Sequence, residues 1–440
     1  MRSVSVIGAG LAGSEAAWQL AERGVSVRLM EMRPQVMTPA HETGQFAELV
    51  CSNSLGSTVE SAAGGLLKKE LEVLDSLILR AAQETQVPAG GALAVNRGLF
   101  ASEVSKRLKE HPLVDVVNEE CVEIPDGVVV IATGPLTSPA FTKTLQTITQ
   151  SDNLHFFDAA APIVLGESVN YKRGFWAARY DKGTADYFNC PLTKEEYETF
   201  VHALVTAEEA PLHDGDLGEE DLTVFEGCMP LEVMARRGAD ALRYGPFRPV
   251  GLTDVDGNRP WAVLQLRMEN TEASLLNLVG CQTRLKWGEQ KRVFQLIPAL
   301  KDAEFVRYGV MHRNTFINSP KVLNSSFQCK DEQRIFMAGQ LTGVEGYVES
   351  AASGLLAGVN AARFVSGQEP LILPLETMLG SLAHYISTAD AKHFQPMNAN
   401  FGILPILDPP VRGKKERKLA YSKRALESLR TFWSGLQGSV

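Results

Sequence analysis

The sequence predicts an α/β protein in which a buried parallel sheet carries helices, with an α+β domain inserted into it. Three segments indicate this fold. Residues 3–7 (SVSVI) have the pattern of a short buried strand and lead through a glycine-rich turn into a helix. Residues 126–135 (DGVVVIATGP) have the pattern of a second buried strand, and residues 334–365 again combine a strand, a glycine-rich loop and a helix.

The amino-terminal segment has the spacing of a dinucleotide-binding turn. Gly8 allows a tight turn, Gly10 lets the backbone approach a pyrophosphate, and Gly13 lets the helix pack closely. The N-terminus of the helix would hold the phosphates, and Glu31, at the end of the next strand, would accept hydrogen bonds from a ribose. A glycine-rich turn alone also fits an ordinary βα connection, but the strand, helix and acid together favour a dinucleotide site. The predicted contacts are Gly8, Ala9, Gly10, Leu11, Ala12, Gly13, Glu31 and Met32.

Two later segments favour FAD over a nicotinamide as the bound nucleotide. The strand and turn of 126–135 resemble those beside the flavin nucleotide in flavoproteins with two dinucleotide-binding domains. The second glycine-rich loop leads into the helix VESAASGLLAGVNAARFV, whose small residues recur at helical spacing and allow close packing. The same resemblance implies that this loop holds the ribityl and isoalloxazine end of FAD, although a generic packing element is the alternative. The predicted contacts are Thr133, Gly134, Gly339, Gly343, Glu345, Gly346 and Tyr347.

The flavin segments lie on both sides of a long middle stretch, which predicts a discontinuous domain. We expect a Rossmann-type FAD-binding domain at 1–165 and 300–440, with the inserted domain at 166–299. The insertion contains strand-like runs such as 261–266 and helical stretches such as 194–205.

Charge and cysteine content exclude several classes of protein. The net charge of −9 over 440 residues argues against RNA binding by bulk electrostatics, so any RNA-binding face would be local. The six cysteines are scattered without a CxxC pair, which fits neither a zinc site nor a disulfide scaffold, and no metal site is predicted. No apolar run approaches the roughly 18 residues that a membrane helix needs, and no signal peptide precedes the first strand. We expect a cytoplasmic protein with no membrane partner.

Two cysteines lie in contexts that favour a reactive thiolate. Cys228 precedes Pro230, which suits the first position of a helix, so the helix dipole, together with Arg236 or Arg237, would lower the thiol pKa. Cys51 lies in the polar turn ELVCSNSLGS, which offers several capping residues and N–H groups to an anion. For any single cysteine, an inert buried thiol is the simpler alternative.

The carboxyl-terminal stretch differs in charge from the rest of the chain. Residues 412–430 contain eight basic and two acidic residues in a helical pattern. On an acidic protein, such a helix is most simply a solvated face, and contact with RNA phosphates is the other interpretation.

Several stretches together resemble one group of tRNA-modifying flavoproteins. They are GAGLAGSEAAWQLAERG, MRPQVMTPAH, ELVCSNSLG, VPAGGALAVNR, RYGVMHRNTFINSP and GVEGYVESAASGLLAG. These stretches are similar to the folate- and FAD-dependent tRNA (uracil-5-)-methyltransferases of the TrmFO type, and the resemblance extends over essentially the whole chain. The related GidA-like flavoproteins share the FAD motifs but have an additional long C-terminal helical region, for which this chain has no room.

The resemblance implies a reaction and a set of roles. It implies methylation of uridine 54 in the T-loop of tRNA, with 5,10-methylenetetrahydrofolate as carbon donor and NADH or NADPH as the source of reduced FAD. Cys228 would add to carbon 6 of uracil, and Cys51 would be a second essential cysteine, either a base at carbon 5 or an alternative nucleophile. His312 would stack on the folate pterin, or else be a hydrogen-bonded core residue, and Glu345 and Tyr347 would reach the folate.

The resemblance also makes the basic tail a candidate contact for the T-arm of tRNA, through Lys414, Lys415, Arg417 and Lys418. Two other functions fit the sequence. A small-molecule FAD oxidoreductase would explain the flavin motifs but would leave the cysteine contexts and the tail without a role. A non-catalytic tRNA-binding subunit would bind flavin and tRNA without folate-dependent turnover.

Overall fold

The computed structural model describes residues 2–149, 154–181, 184–210, 229–254, 256–309 and 311–437, with only the backbone described at 154–159, 181, 311–313 and 437. The strands are β1 Ser3–Ile7, β2 Ser26–Met30, β3 Ser54–Ser57, β4 Gln86–Val87, β5 Ala92–Val95, β6 Val114–Val117, β7 Val128–Ile131, β8 Leu154–Ala159, β9 Ile163–Leu165, β10 Phe175–Trp176, β11 Tyr187–Leu192, β12 Ala262–Met268, β13 Leu275–Leu278, β14 Phe305–Arg307, β15 Met311–Phe316 and β16 Ile335–Met337. The helices are α1 Leu11–Ala21, α2 Ala63–Val73, α3 Leu77–Glu84, α4 Arg97–Glu110, α5 Pro139–Thr149, α6 Lys194–Val205, α7 Leu231–Arg236, α8 Ala241–Tyr244, α9 Trp287–Phe294, α10 Ser319–Val322, α11 Tyr347–Val365, α12 Met378–Thr388 and α13 Lys414–Gln437.

A parallel sheet lies at the centre of the larger hydrophobic core. Its strand order is β16-β7-β1-β2-β6, so the three predicted strand segments pair side by side. Helices α1 and α11 pack against each other closely, because a Cβ at Gly354 would lie 2.2 Å from the carbonyl oxygen of Ala12. A Cβ at Gly358 would lie 2.7 Å from the carbonyl oxygen of Ala16. The small residues of α11 therefore allow the close packing that their helical spacing predicts.

A second sheet, of order β10-β11-β12-β13-β9-β14, is antiparallel and has its own hydrophobic core beneath α6, α7 and α9. The strand-like run 261–266 corresponds to β12, and the helical stretch 194–205 corresponds to α6, which Thr193 and Glu196 begin with a capping box. The boundaries at 166 and 299 stay a prediction, and strands β9 and β14 of this sheet lie just outside them.

The carboxyl-terminal helix α13 packs against α2 through Ala425 and Leu429, which are buried. The hydroxyl of Ser422 donates to the carbonyl oxygen of Glu60 at 2.6 Å, which fixes the helix to the sheet domain. In the described part of the chain, no helix combines the length and the apolar character that crossing a bilayer requires.

Candidate active site

The turn between β1 and α1 shows three different uses of glycine. Gly8 has a φ of +94°, and a Cβ there would lie 2.6 Å from the carbonyl oxygen of Ala132. A Cβ at Gly13 would lie only 1.7 Å from the carbonyl oxygen of Gly8, so this residue lets the helix pack onto the turn. At Gly10, by contrast, no described atom lies within 4 Å of the Cβ position, and the residue faces the open cleft. Such a turn leaves room for a ligand at the N-terminus of α1.

Glu31 is buried at the end of β2 and joins the turn to the segment that follows the strand. Its Oε2 accepts the Ala9 N–H at 2.8 Å, and its Oε1 accepts the Arg33 N–H and Nε–H at 3.0 and 2.9 Å. Burial raises the pKa of the carboxyl, but the hydrogen bonds and charge of Arg33 outweigh burial and hold the pKa of Glu31 below its ordinary value. Arg33 also forms an ion pair with Glu48 at 3.3 Å. No sequence pattern assigned a role to Arg33, although it lies only two residues after Glu31.

A cleft opens at this edge of the parallel sheet, and most of the predicted nucleotide contacts lie in its wall. The predicted residues that line it are Gly8, Gly10, Leu11, Ala12, Glu31, Met32, Thr133, Gly134, Gly339 and Tyr347. Ala9 and Gly13 lie behind the turn. Further wall residues that the sequence did not single out include Thr38, His41, Glu119, Cys121, Thr137 and Gln340.

A second cavity adjoins the cleft. The two share Val50, Pro135, Leu136, Gln340 and Tyr347 as wall residues. Polar groups of the second cavity come from distant parts of the chain, and they are Cys51, Ser52, Lys68, Asn314, Glu345, Glu349 and Asn398. The predicted loop residue Gly346 also lies here, whereas Gly343 packs beneath the Phe394 ring. The structure thus brings Cys51 and the loop at Glu345 to one cavity beside the nucleotide cleft.

Tyr347, the first residue of α11, fixes the backbone of the Cys51 turn. Its hydroxyl oxygen accepts the N–H of Cys51 at 2.8 Å and the N–H of Ser52 at 3.1 Å. Burial raises the pKa of Tyr347, and the nearby Cys51 raises it further, so the side chain stays a neutral phenol. The sequence placed Tyr347 in the flavin-side loop and missed this contact.

Three arginines hold the carbonyl groups and side chains of the same turn. Arg97 donates to the carbonyl oxygens of Leu49 and Cys51 at 2.8 and 3.3 Å. Arg307 donates to the Val50 carbonyl oxygen at 2.7 Å. Arg267, on β12, donates to Ser52 Oγ and Asn53 Oδ1, both at 2.7 Å. The turn is therefore held by α4 and by strands β12 and β14 of the antiparallel sheet.

Glu269 supplies the counter-charge to this group of arginines. Its carboxylate binds Arg97 in a bidentate pair at 2.6 and 3.0 Å. Burial alone lowers the pKa of Arg97, but Glu269 more than offsets burial and keeps the pKa above its ordinary value. For Arg267, burial lowers the pKa, and the charge of Glu269 offsets this effect only in part. Arg97 and Arg267 both interact electrostatically with Cys51, so positive charge lies beside this cysteine.

Lys68 and Glu349 are buried ionisable groups in the wall of the second cavity. The Lys68 ammonium donates to the carbonyl oxygens of Ser57 and Gly64 at 3.0 and 3.2 Å. Burial lowers the pKa of Lys68 to about 8, opposed by the charge of Glu349. Burial also raises the pKa of Glu349, whose Oε1 accepts the Ala399 N–H at 3.0 Å. No sequence pattern singled out either residue.

Glu345 lies in the same wall. It accepts the Gln340 amide N–H at 2.7 Å, and the side chain is 7% exposed. The residue therefore presents a carboxylate to the cavity from the loop before α11.

Cys228 lies outside the residues that the structure describes. The backbone of His312 lies in β15, opposite Asp158 of β8, and its side chain is outside the described part. Among the other cysteines, Cys190 and Cys281 are buried in the second core, and burial raises the pKa of both thiols, which makes them unreactive. The candidate RNA residues Lys414, Lys415 and Arg417 are exposed and Lys418 is half-buried on α13, outside both cavities.

Comparisons with known proteins agree with this arrangement. Residues 3–369 match the family described as "Glucose inhibited division protein A". A "Methylenetetrahydrofolate--tRNA-(uracil-5-)-methyltransferase TrmFO" from an Exiguobacterium species is 57% identical over 432 residues, which is 98% of both chains. The protein of the same name from Lysinibacillus sphaericus is 57% identical over 430 residues, again 98% of both chains.

Solved structures show the same fold. Aquifex aeolicus GidA matches in two crystal forms, with TM-scores of 0.69 and 0.68 at 17% and 16% identity. The alignments cover 98% of this chain and 76% and 73% of those chains. The parallel sheet and the antiparallel sheet are thus those of a GidA-like flavoprotein fold. By near full-length identity, this chain belongs to the TrmFO family of methylenetetrahydrofolate--tRNA-(uracil-5-)-methyltransferases, within the wider GidA family.

Proposed function

We propose that this protein methylates carbon 5 of uridine 54 in the T-loop of tRNA, with 5,10-methylenetetrahydrofolate as carbon donor and FAD reduced by NADH or NADPH. One observation carries the proposal: the Cys51 turn forms a wall of a cavity that adjoins a dinucleotide cleft through Tyr347 and Gln340. The reaction named for the relatives needs a redox cofactor and a thiol at one place. We also propose that the enzyme acts in the cytosol.

FAD fits the cleft at the parallel sheet. The open space at Gly10 and the N-terminus of α1 would receive the pyrophosphate, and Glu31 would lie at the ribose end. Thr133, Gly134 and Gly339 would hold the remainder toward Tyr347. When bound, FAD supplies the reducing equivalents that convert the transferred carbon to a methyl group.

Thiols are required because carbon 5 of uracil is a poor nucleophile. Addition of a thiolate to carbon 6 makes carbon 5 nucleophilic toward a one-carbon electrophile, and the thiolate leaves again when the carbon 5 proton is removed. We propose Cys228 for the addition and Cys51 as the second thiol, a base at carbon 5 or an alternative nucleophile. The arginines around the Cys51 turn support this role, since they fix the turn and place positive charge beside the cysteine.

Folate and RNA would be held by separate parts of the molecule. We propose that Glu345 hydrogen-bonds the folate in the second cavity and that His312 stacks on its pterin. Lys414, Lys415, Arg417 and Lys418 of α13 would contact T-arm phosphates, because the first three are exposed and near one another on the helix.

The test is an assay of the purified protein with unmodified tRNA, methylenetetrahydrofolate and NAD(P)H, with the T-loop uridine examined for 5-methyluridine by mass spectrometry. We expect product only with both folate and reductant, and none when S-adenosylmethionine replaces the folate. Cys51→Ala should reduce the rate by at least about 100-fold. The control is Cys329→Ala, a cysteine of the larger core outside both cavities, which should retain turnover.

A wild-type protein that binds FAD and leaves the tRNA unmethylated would refute the proposal. In that case, consumption of NAD(P)H without tRNA would indicate an oxidoreductase, and tRNA binding without turnover would indicate a non-catalytic subunit.

A further inference from the structure

Three aromatic rings form a column on the surface of the antiparallel-sheet domain. The rings of Trp287 and Tyr308 have centroids 5.4 Å apart and planes 11° apart. Those of Tyr308 and Phe305 have centroids 5.5 Å apart and planes 5° apart. Phe305 in turn contacts the buried Phe294, so the column begins in the hydrophobic core. We call these three residues, Trp287, Tyr308 and Phe305, the aromatic column.

The outer end of the aromatic column is open to solvent. Trp287 is 63% exposed, an unusual position for the largest apolar side chain. The stretch KWGEQKR, which begins one residue before its helix, contains three basic residues and one acidic residue. Lys286 pairs with Glu208 and Arg292 pairs with Glu289, whereas Lys291 forms no ion pair with any residue that the structure describes. An exposed ring among basic residues is the composition of surfaces that bind unpaired nucleotides.

The column is held rigidly in place. The buried Gln290 side chain donates to the carbonyl oxygen of Gly309 at 2.8 Å and accepts the Gly309 N–H at 2.7 Å. These two hydrogen bonds fix α9, which carries Trp287, to the chain just after Tyr308. Because no ring has to be ordered on binding, stacking of a further planar group on Trp287 loses little conformational entropy.

The aromatic column is continuous with the candidate active site. Arg307, between Phe305 and Tyr308 in the chain, donates to the carbonyl oxygen of Val50, which is the residue before Cys51 and lines both cavities. The column therefore lies at a segment that directly contacts the reactive turn.

We propose that the aromatic column is a stacking platform for an unpaired base of the RNA substrate. This proposal rests on the proposed function. A loop uridine must leave its neighbours to reach an enclosed thiol, and a base displaced with it needs a partner to stack on. The ring of Trp287 offers such a partner without reading sequence, since every base has a π-face.

The experiment compares binding of two RNA probes, an unmodified T-arm hairpin with its loop and a fully paired duplex made from the stem sequence. Trp287→Ala should weaken hairpin binding by about 10-fold, and Trp287→Phe should restore most of it. Duplex binding should be unchanged, because no unpaired base is present. The slope of log Kd against log salt should also be unchanged, since no phosphate contact is removed. Tyr244→Ala is the matched control, as Tyr244 is an 86% exposed aromatic residue on α8.

The platform would be overturned if Trp287→Ala bound the hairpin as tightly as the wild type does. It would also be overturned if the variant lost affinity for the hairpin and the duplex equally. A change in the solution mass of Trp287→Ala without loss of hairpin affinity would also overturn it, and would assign the column to a protein interface. Methylation by the wild-type protein is measured in the same samples. Its absence refutes the proposed function, whereas methylation with an unaffected Trp287→Ala refutes the platform alone.

Discussion

The nucleotide cleft and the Cys51 cavity share a wall, yet they are built in different ways. The cleft is centred on the turn of one strand–turn–helix–strand unit, whose shape depends on glycines that approach other backbone atoms, and segments such as 132–138 and 339–340 complete its wall. The cavity gathers residues from α2, α11, the loop at Cys51 and the segments at Asn314 and Asn398, and arginines of α4 and β12 hold its Cys51 turn. The glycine turn at the cleft is encoded in residues that are neighbours in the chain. The Cys51 cavity exists only when distant parts of the chain meet.

Substitutions in the two regions should therefore impair different properties of the protein. Packing defects in the cleft should disturb the fold itself, because the turn lies inside the core of the sheet domain. Charge removal around Cys51 should disturb the reactive turn while FAD binding persists. The following variants test that difference.

The largest effect is expected at the glycines of the cleft. Gly13→Ala places a methyl group 1.7 Å from the Gly8 carbonyl oxygen, and such overpacking should cost about 3 kcal/mol or more of unfolding free energy. Gly10→Ala meets no described atom within 4 Å, so the melting temperature of the FAD-free protein should be retained. FAD affinity should nevertheless fall at least about 10-fold, because the new methyl group would occupy the phosphate path. Thermal unfolding and flavin titration measure the two effects. Equal melting temperatures for both variants would contradict the conclusion that Gly13 is required for packing and Gly10 is not.

An intermediate effect is expected at Arg97. Arg97→Met leaves Glu269 buried without its partner, which should cost about 3–5 kcal/mol and release the carbonyl groups of Leu49 and Cys51. Alkylation of Cys51 at neutral pH should slow and methylation should fall, while the flavin content stays near that of the wild type. The double variant Arg97→Met/Glu269→Leu should regain part of the stability and none of the Cys51 reactivity. Arg28→Met removes an exposed pair with Glu119 and should cost at most about 1 kcal/mol.

If Arg97→Met lost both FAD binding and Cys51 reactivity, the cleft and the Cys51 cavity would form one cooperative unit and would not respond independently to substitution. Rates of iodoacetamide labelling, followed by peptide mass spectrometry, separate Cys51 from the other cysteines.

The smallest effect is expected at Lys68 and depends on pH. Burial lowers the pKa of Lys68 to about 8, below its ordinary value of 10.5, so the unfolded chain binds the proton more tightly than the folded protein. The cost of burying the charge is complete below about pH 8 and disappears as the pH rises toward 10.5. The unfolding free energy of the wild type relative to Lys68→Met should therefore increase over this range by an amount on the order of 1–3 kcal/mol.

Lys69→Met is the matched control for this measurement, because Lys69 is the neighbouring lysine and is solvent-exposed. Its difference from the wild type should not vary with pH in the same range. A Lys68→Met difference that is flat between pH 7 and 10 would show that the ammonium is not destabilised by its position in the cavity wall.

Much of the fold followed from local patterns. The strand at 3–7, the helix at 194–205 and the small-residue face of the helix after Gly346 lie where the sequence predicted them. The tight turn at Gly8 and the close packing at Gly13 were also predicted correctly, whereas the approach of Gly10 to a pyrophosphate stays a prediction. The roles of Cys228 and His312, and the domain boundaries, stay predictions, and the roles of the described site residues are proposals.

The sequence by itself determined the nucleotide turn, because hydrophobic periodicity and glycine spacing act between residues that are neighbours in the chain. Only the tertiary structure decided the surroundings of Cys51. Arg267 and Asn53 are 214 residues apart in the sequence, and Tyr347 and Cys51 are 296 residues apart. No local pattern could therefore predict these contacts. The same holds for Lys68 and the aromatic column. Their properties come from burial and from neighbours that are set only when the folded chain has packed.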